Sequence, residues 1–237
     1  MPCRPSGVLH QIIHETPIAV LDFETTGLTP GFDRVVEVSV VRVDPGSPPR
    51  LMLDTLINPD RRMAATEVHG ITDQAVADAP RFKDVADDLL HALSGCVLAA
   101  HNVYFDLRFL RFELDRLGLF QEVPHLCTMH SRPLLGLKAC GLDDACKADQ
   151  IAFTPTHSSR SDSTAAALLW MRYRDAFKDR RVLTFHDLTK LGKKYKFFSS
   201  FECGPLTSTR KAKKRSTSLK PRMPLEPEYE RTFGAIG

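Results

Sequence analysis

Four acids and one histidine stand where their side chains could share a divalent cation and activate a water. They are Asp22 and Glu24 in AVLDFETTGL, Asp106 in HNVYFDLRFL, and His157 with Asp162 in THSSRSD. Asp22 and Glu24 are separated by one residue in an apolar run, and side chains at i and i+2 of a strand share a face. Two carboxylates that close repel, and one takes up a proton unless a cation lies between them. An exposed edge strand could solvate both acids. The neighbouring Ile18, Ala19, Val20 and Leu21 instead suit a strand buried on both faces.

Asp106 and Asp162 carry the same message on helices. Stepping along one helical face from Asp106 gives Phe109, Leu110, Leu114 and Leu117. The same steps from Asp162 give Ala165, Ala166, Leu169, Trp170 and Tyr173. The helix dipole alone favours an acid near a helix start, but it does not place that acid in line with the buried stripe. Asn102 is expected to cap the first of these helices. His157, five residues before Asp162, is expected to reach the same cleft from the loop side.

The elements that must position these residues follow from periodicity. Runs at 17–23, 35–43 and 51–57, with the turn DPGSPPR before the last, read as a β-meander. An amphipathic helix is expected over 81–93, a strand at 96–100, and a helix from 103 to 117. A fifth strand at 126–129, short helices at 131–136 and 142–148, and a long helix over 158–176 complete the reading. The order is that of a mixed α/β domain, hairpins first and crossovers later.

The 237 residues, 43% hydrophobic and 26% charged, suit a globular domain with an appendage. No apolar run is long enough for a membrane helix, and the N-terminus lacks the pattern of a secretory signal. The six cysteines include no CxxC pair, so a reducing cytoplasm is the expected setting. The net charge of +3 is unevenly placed. Between 193 and 222 lie Lys193, Lys194, Lys196, Arg210, Lys211, Lys213, Lys214, Arg215, Lys220 and Arg222 against one acid, Glu202. We therefore expect an N-terminal extension over 1–14, a domain over 15–190, and a basic, flexible tail over 191–237.

In order along the chain, DFETTGL, HNVYFDLRFL and the His157–Asp162 pair resemble the motifs of the DEDDh 3′–5′ exonucleases. This is the DnaQ-like group that includes the epsilon subunit of bacterial DNA polymerase III. VHGIT at 68–72 and LDDACKADQI at 142–151 resemble further family segments. The likeness covers about residues 15–178. It implies a ribonuclease H-like fold, a mixed five-stranded sheet flanked by helices, and hydrolysis of nucleotides from a 3′ end. It further implies that Asp22 bridges two Mg²⁺ ions, with Mn²⁺ able to substitute. Glu24 and Asp162 complete the first metal site, Asp106 serves the second, and His157 takes the proton of the attacking water. Thr25, Thr26 and Leu28 are expected around the terminal nucleotide, with Phe105, Asn102 and His69 as weaker contacts. Where the family usually carries alanines, this chain has Ser159 and Ser163, and Cys127 stands where many relatives have an acid.

DNA with a 3′ end is the favoured partner; an RNA exonuclease shares the same five residues. A silent nucleic-acid-binding module would be expected to have lost metal ligands. A zinc module built from His125, Cys127, His130, Cys140 and Cys146 fits no standard spacing. The basic tail could hold nucleic acid through its phosphates or dock a polymerase or other protein.

Overall fold

The computed structural model describes residues 7–154, 157–192 and 194–207. Its centre is one five-stranded sheet in the order β3-β2-β1-β4-β5. The strands are β1 (Ile18–Thr25), β2 (Val35–Val43), β3 (Arg50–Leu56), β4 (Val97–Ala100) and β5 (His125–Cys127). The first three pair antiparallel, whereas β1, β4 and β5 run parallel. The helices are α1 (Thr66–His69), α2 (Asp73–Val76), α3 (Phe82–Leu93), α4 (Val103–Asp115), α5 (Thr128–Leu134), α6 (Leu142–Ala148), α7 (Ser159–Asp179) and α8 (Phe185–Thr189). This is the mixed α/β, ribonuclease H-like architecture expected from the sequence.

Central position explains the composition of β1 and β2. Ile18 to Leu21 are buried on both faces of β1, and β2 is buried throughout except at Arg42. Branched residues suit such a strand because their stiff side chains pack well on a pleated surface. α7 packs across β1 and β2 through Ala165, Ala166, Leu169, Trp170 and Tyr173, all buried. α4 likewise buries Phe109, Leu110 and Leu114. Leu117, expected on the same stripe, is exposed because the helix ends at Asp115 and Gly118 turns the chain away.

Several expectations change. β5 covers only 125–127, and Thr128 already opens α5, so the short helix begins before residue 131. Asn102 occupies the cap position of α4 but adopts a left-handed backbone, φ 71°, and its side chain makes no capping bond. α1, α2 and α8 were not anticipated, each being only four or five residues long.

Packing also extends beyond 15–190 at both ends. Val8 and Ile13 are buried in the core, and Leu9 N–H donates to the Phe201 carbonyl at 3.0 Å. A 3₁₀ segment, Lys196–Glu202, inserts Phe197 and Phe201 against Phe185 and the rest of the core. Each such buried aromatic contributes about 1.5–3 kcal/mol over leaving it in water. Gly95 N–H closes the segment by donating to the Leu206 carbonyl at 2.9 Å. Most of the basic run, from Arg210 onward together with Lys193, lies outside the described residues.

Candidate active site

The site lies where β1 ends. β1 turns Asp22 and Glu24 to one face, and α7 lays its first turn over that face. As a result, carboxylate oxygens of Asp22, Glu24 and Asp162 lie within 4.8 Å of one another. Asp106, in the first turn of α4 and 3% exposed, approaches from another direction. Its Oδ1 accepts the backbone N–H of Phe23 at 3.1 Å, between the two acids of β1. The four acids therefore converge from one strand and two helices.

Their electrostatics are severe. Burial, then Asp106, Asp162, Glu24 and Glu37, hold the Asp22 carboxyl well above the usual carboxylate range. Burial, then Asp162, Glu37 and Asp106, push Glu24 up to about 8. Burial raises Asp106 to about 8 against the opposing pull of the Phe23 N–H. Asp162 rises to about 6, again chiefly through burial, while His157 favours its charged form. Among the described residues, none of the groups that shift Asp22 and Glu24 is a cation. Hard oxygen donors crowded without a counter-charge are the donor set that suits Mg²⁺ or Mn²⁺.

His157 is exposed just before α7, with a left-handed backbone at φ 46°. The turn after β1 is built by the residues expected around a nucleotide. Thr25 Oγ1 donates to the Gly27 carbonyl at 2.6 Å, and Thr26 Oγ1 donates to Asp33 Oδ1 at 3.2 Å. Both threonines are buried, whereas Leu28 stands 75% exposed. At the glycine of ETTGL the chain passes close to Asp33: a Cβ at Gly27 would lie 2.6 Å from that carboxylate.

The other expected contacts divide. Phe105 is half-buried against Phe109, with ring centroids 5.1 Å apart, so much of it belongs to the core. Asn102 is exposed. His69 is buried at the end of α1, where Nδ1 accepts the Ile71 N–H at 3.0 Å, and Nε2 has no partner among the described residues. The histidines and cysteines considered for zinc form no metal-holding group among the described residues.

One acid of the site was not anticipated. Glu37 on β2 lies directly opposite Glu24, is 3% exposed, and accepts the Ser159 N–H at 2.8 Å. The available signal was an acid two residues from a serine inside the β-branched run VVEVSVV. The two serines that stand where the family usually carries alanine, Ser159 and Ser163, are fully buried, and Ser163 Oγ donates to Ser39 Oγ on β2 at 2.9 Å.

Comparison with known proteins agrees with this geometry. A family model described as "Exonuclease" matches residues 19–170. The chain is 35% identical over 190 residues to a DNA polymerase III subunit epsilon-like protein of Rhodobacter capsulatus, covering 72% of this chain and 26% of that protein. It is 28% identical over 214 residues to the PolC-type DNA polymerase III of Thermotoga maritima, covering 86% of this chain and 15% of that protein. The chain thus spans about a quarter or less of the length of these curated relatives. The structure of E. coli exonuclease I in complex with a dA16 oligonucleotide shares the fold, with a TM-score of 0.56 at 19% identity, over 74% of this chain and 45% of that one. With the ordered motifs at the end of β1 and at the starts of α4 and α7, the chain belongs to the DnaQ-like 3′–5′ exonuclease family.

Proposed function

We propose that this protein is a metal-dependent exonuclease that releases nucleoside monophosphates from DNA 3′ ends. The observation that carries the reading is the convergence of Asp22, Glu24 and Asp162 within 4.8 Å, with Asp106 bonded between the first two. Such a cluster is costly unless a dication offsets the repulsion. Asp22, Glu24 and Asp162 would hold one Mg²⁺, and Asp106, together with Asp22, a second, with Mn²⁺ as the substitute. When bound, such ions supply Lewis-acid stabilisation of the phosphate and of the leaving oxygen.

The remaining steps fall to the chain's own residues. Water oxygen attacks phosphorus, the bond to the 3′ oxygen breaks, and its electron pair leaves with that oxygen. An imidazole nitrogen of His157 takes the proton released by the water, and the carboxylate of Asp162 stabilises the resulting imidazolium. Exposed on the pinned turn, Leu28 offers an apolar surface to the terminal base, while Thr25 and Thr26 hold that turn in place.

Nucleotide release from single-stranded DNA, mismatched and paired 3′ ends, and RNA, with Mg²⁺ and with EDTA, tests the reading. We expect Mg²⁺-dependent release of mononucleotides, fastest on DNA. Faster release from RNA would reassign the substrate, and no release with either Mg²⁺ or Mn²⁺ would leave a binding module. We assign the basic residues after 207 to phosphate contacts rather than to a polymerase surface. Deleting 208–237 should then weaken DNA binding and flatten its salt dependence. Unchanged salt dependence would instead leave those residues to a polymerase or other protein partner.

A further inference from the structure

Like charges directly opposite on neighbouring strands are unfavourable, yet Glu24 and Glu37 face each other across β1 and β2. Glu37 is also 3% exposed, so its position has no solvent to relieve it. What it touches accounts for its presence. The Ser159 N–H is the first of the free donors at the start of α7, and Glu37 Oε2 accepts it at 2.8 Å. The cap residue of that helix, Ser158, makes no side-chain capping bond. The helix start is therefore capped by a strand of the sheet rather than by its own sequence.

Two further ties run beside it. Ser163 Oγ donates to Ser39 Oγ at 2.9 Å, and Arg160 Nη1 lies 3.8 Å from Asp54 Oδ2 on β3. Ser39 pairs with Asp22 on one side and with Asp54 on the other. The first turn of α7 is thus held to β2 and β3 by polar contacts, beside the acids it must meet.

We propose that Glu37 is a positioning residue: by accepting the Ser159 N–H it fixes His157, two residues before, and Asp162, three residues after, against Asp22 and Glu24. The proposal rests on the exonuclease reading of the site. It goes further in giving a buried acid outside the three-acid cluster a task that depends on its hydrogen bond, not on its charge. Displacement of a reacting group by about 1 Å can cost about a hundredfold in rate.

Two variants separate bond from charge. Glu37→Ala removes both. Glu37→Gln removes the charge and keeps a carbonyl oxygen able to accept the same N–H. At saturating Mg²⁺ on single-stranded DNA, we expect E37A to lower kcat about a hundredfold and E37Q no more than about tenfold. Binding of a 3′-phosphorothioate oligonucleotide should change less than about threefold in both, which a general loss of structure would not allow. Hydrogen exchange at the Ser159 amide supplies a readout that needs no activity: protection falls in E37A and is retained in E37Q. The proposal is overturned if E37Q loses as much rate as E37A, if E37A keeps kcat within about threefold, or if Ser159 exchanges alike in all three proteins. Should the parent release no nucleotide at all, the exonuclease reading fails, while the exchange comparison still decides the anchor.

Discussion

Two clusters of charge in this molecule are built on opposite principles. At the end of β1, Asp22, Glu24 and Asp162 crowd together with Asp106 beside them, and the charged groups that shift Asp22 and Glu24 are all acids. Beneath α7, Arg132 is 4% exposed and paired with Asp149. Its Nε donates to the Lys138 carbonyl at 2.8 Å, and its Nη1 to Tyr173 Oη at 2.6 Å and to the Asp149 carboxylate. Tyr173 Oη in turn donates to Asp149 Oδ2 at 2.9 Å. One cluster leaves its charge unbalanced and the other completes it. A network that is satisfied internally holds α5, α6 and α7 together; one left incomplete is ready for a ligand that brings positive charge.

The sharpest way to break the comparison is to remove one member of each cluster. Asp22→Asn should reduce nucleotide release by about a thousandfold or more. It should also leave the metal-free protein at least as stable as the parent, because a repelled acid has been removed. Arg132→Ala should do the reverse. Loss of one partner of a buried pair costs about 3–5 kcal/mol, read as a lower denaturant midpoint, with the activity of the remaining folded protein largely kept. If D22N instead unfolded the chain and R132A did not, the division between a functional and a structural cluster would be wrong.

A second test uses pH. Asp22, Glu24, Asp106 and Asp162 all have carboxyls raised in the folded state, Glu24 and Asp106 to about 8 and Asp162 to about 6. A group raised on folding stabilises fully below its unfolded value near 4, and that contribution is lost as pH rises through the folded value. The metal-free protein should therefore lose thermal stability between about pH 4 and pH 8. Mg²⁺ should restore most of it at the upper end, since the cation binds only the deprotonated acids. A melting temperature that did not change between pH 5 and 8 in EDTA would show that the acids are not under the strain their burial implies.

How much of this could be read beforehand depended on the range of the cause. The strand at 35–43 and the helix over 142–148 follow from local pattern, and the structure has β2 and α6 at those residues. Asp106 and Asp162 were placed inward by helical stepping, and both lie on buried faces. Glu37 was missed because its partner, the Ser159 amide, lies 122 residues away and no periodicity links them. The aromatic segment at 196–202 was missed because it is flanked by lysines and is too short to show a helical stripe. Asn102 holds the cap position as expected but makes no capping bond, because its residue type favours both capping and a left-handed backbone, and only the three-dimensional turn selects between them.

The finest distinction concerns Ser163, where the family usually carries alanine. Ser163 and Ser39 are both fully buried, and each hydroxyl has the other as a partner at 2.9 Å. Ser163→Ala leaves the Ser39 hydroxyl without that partner in a dry interface, and an unsatisfied buried hydroxyl costs about 1–3 kcal/mol. The double change Ser39→Ala with Ser163→Ala removes both hydroxyls and should recover most of that cost, because no polar group is left unpaired. Neither variant should alter kcat by more than about threefold, since Glu37 still accepts the Ser159 N–H. Denaturant midpoints of the two single variants and the double variant measure the coupling directly. Purely additive losses would show that the serine pair does not hold the helix to the strand, leaving Glu37 and the Asp54–Arg160 contact to do so.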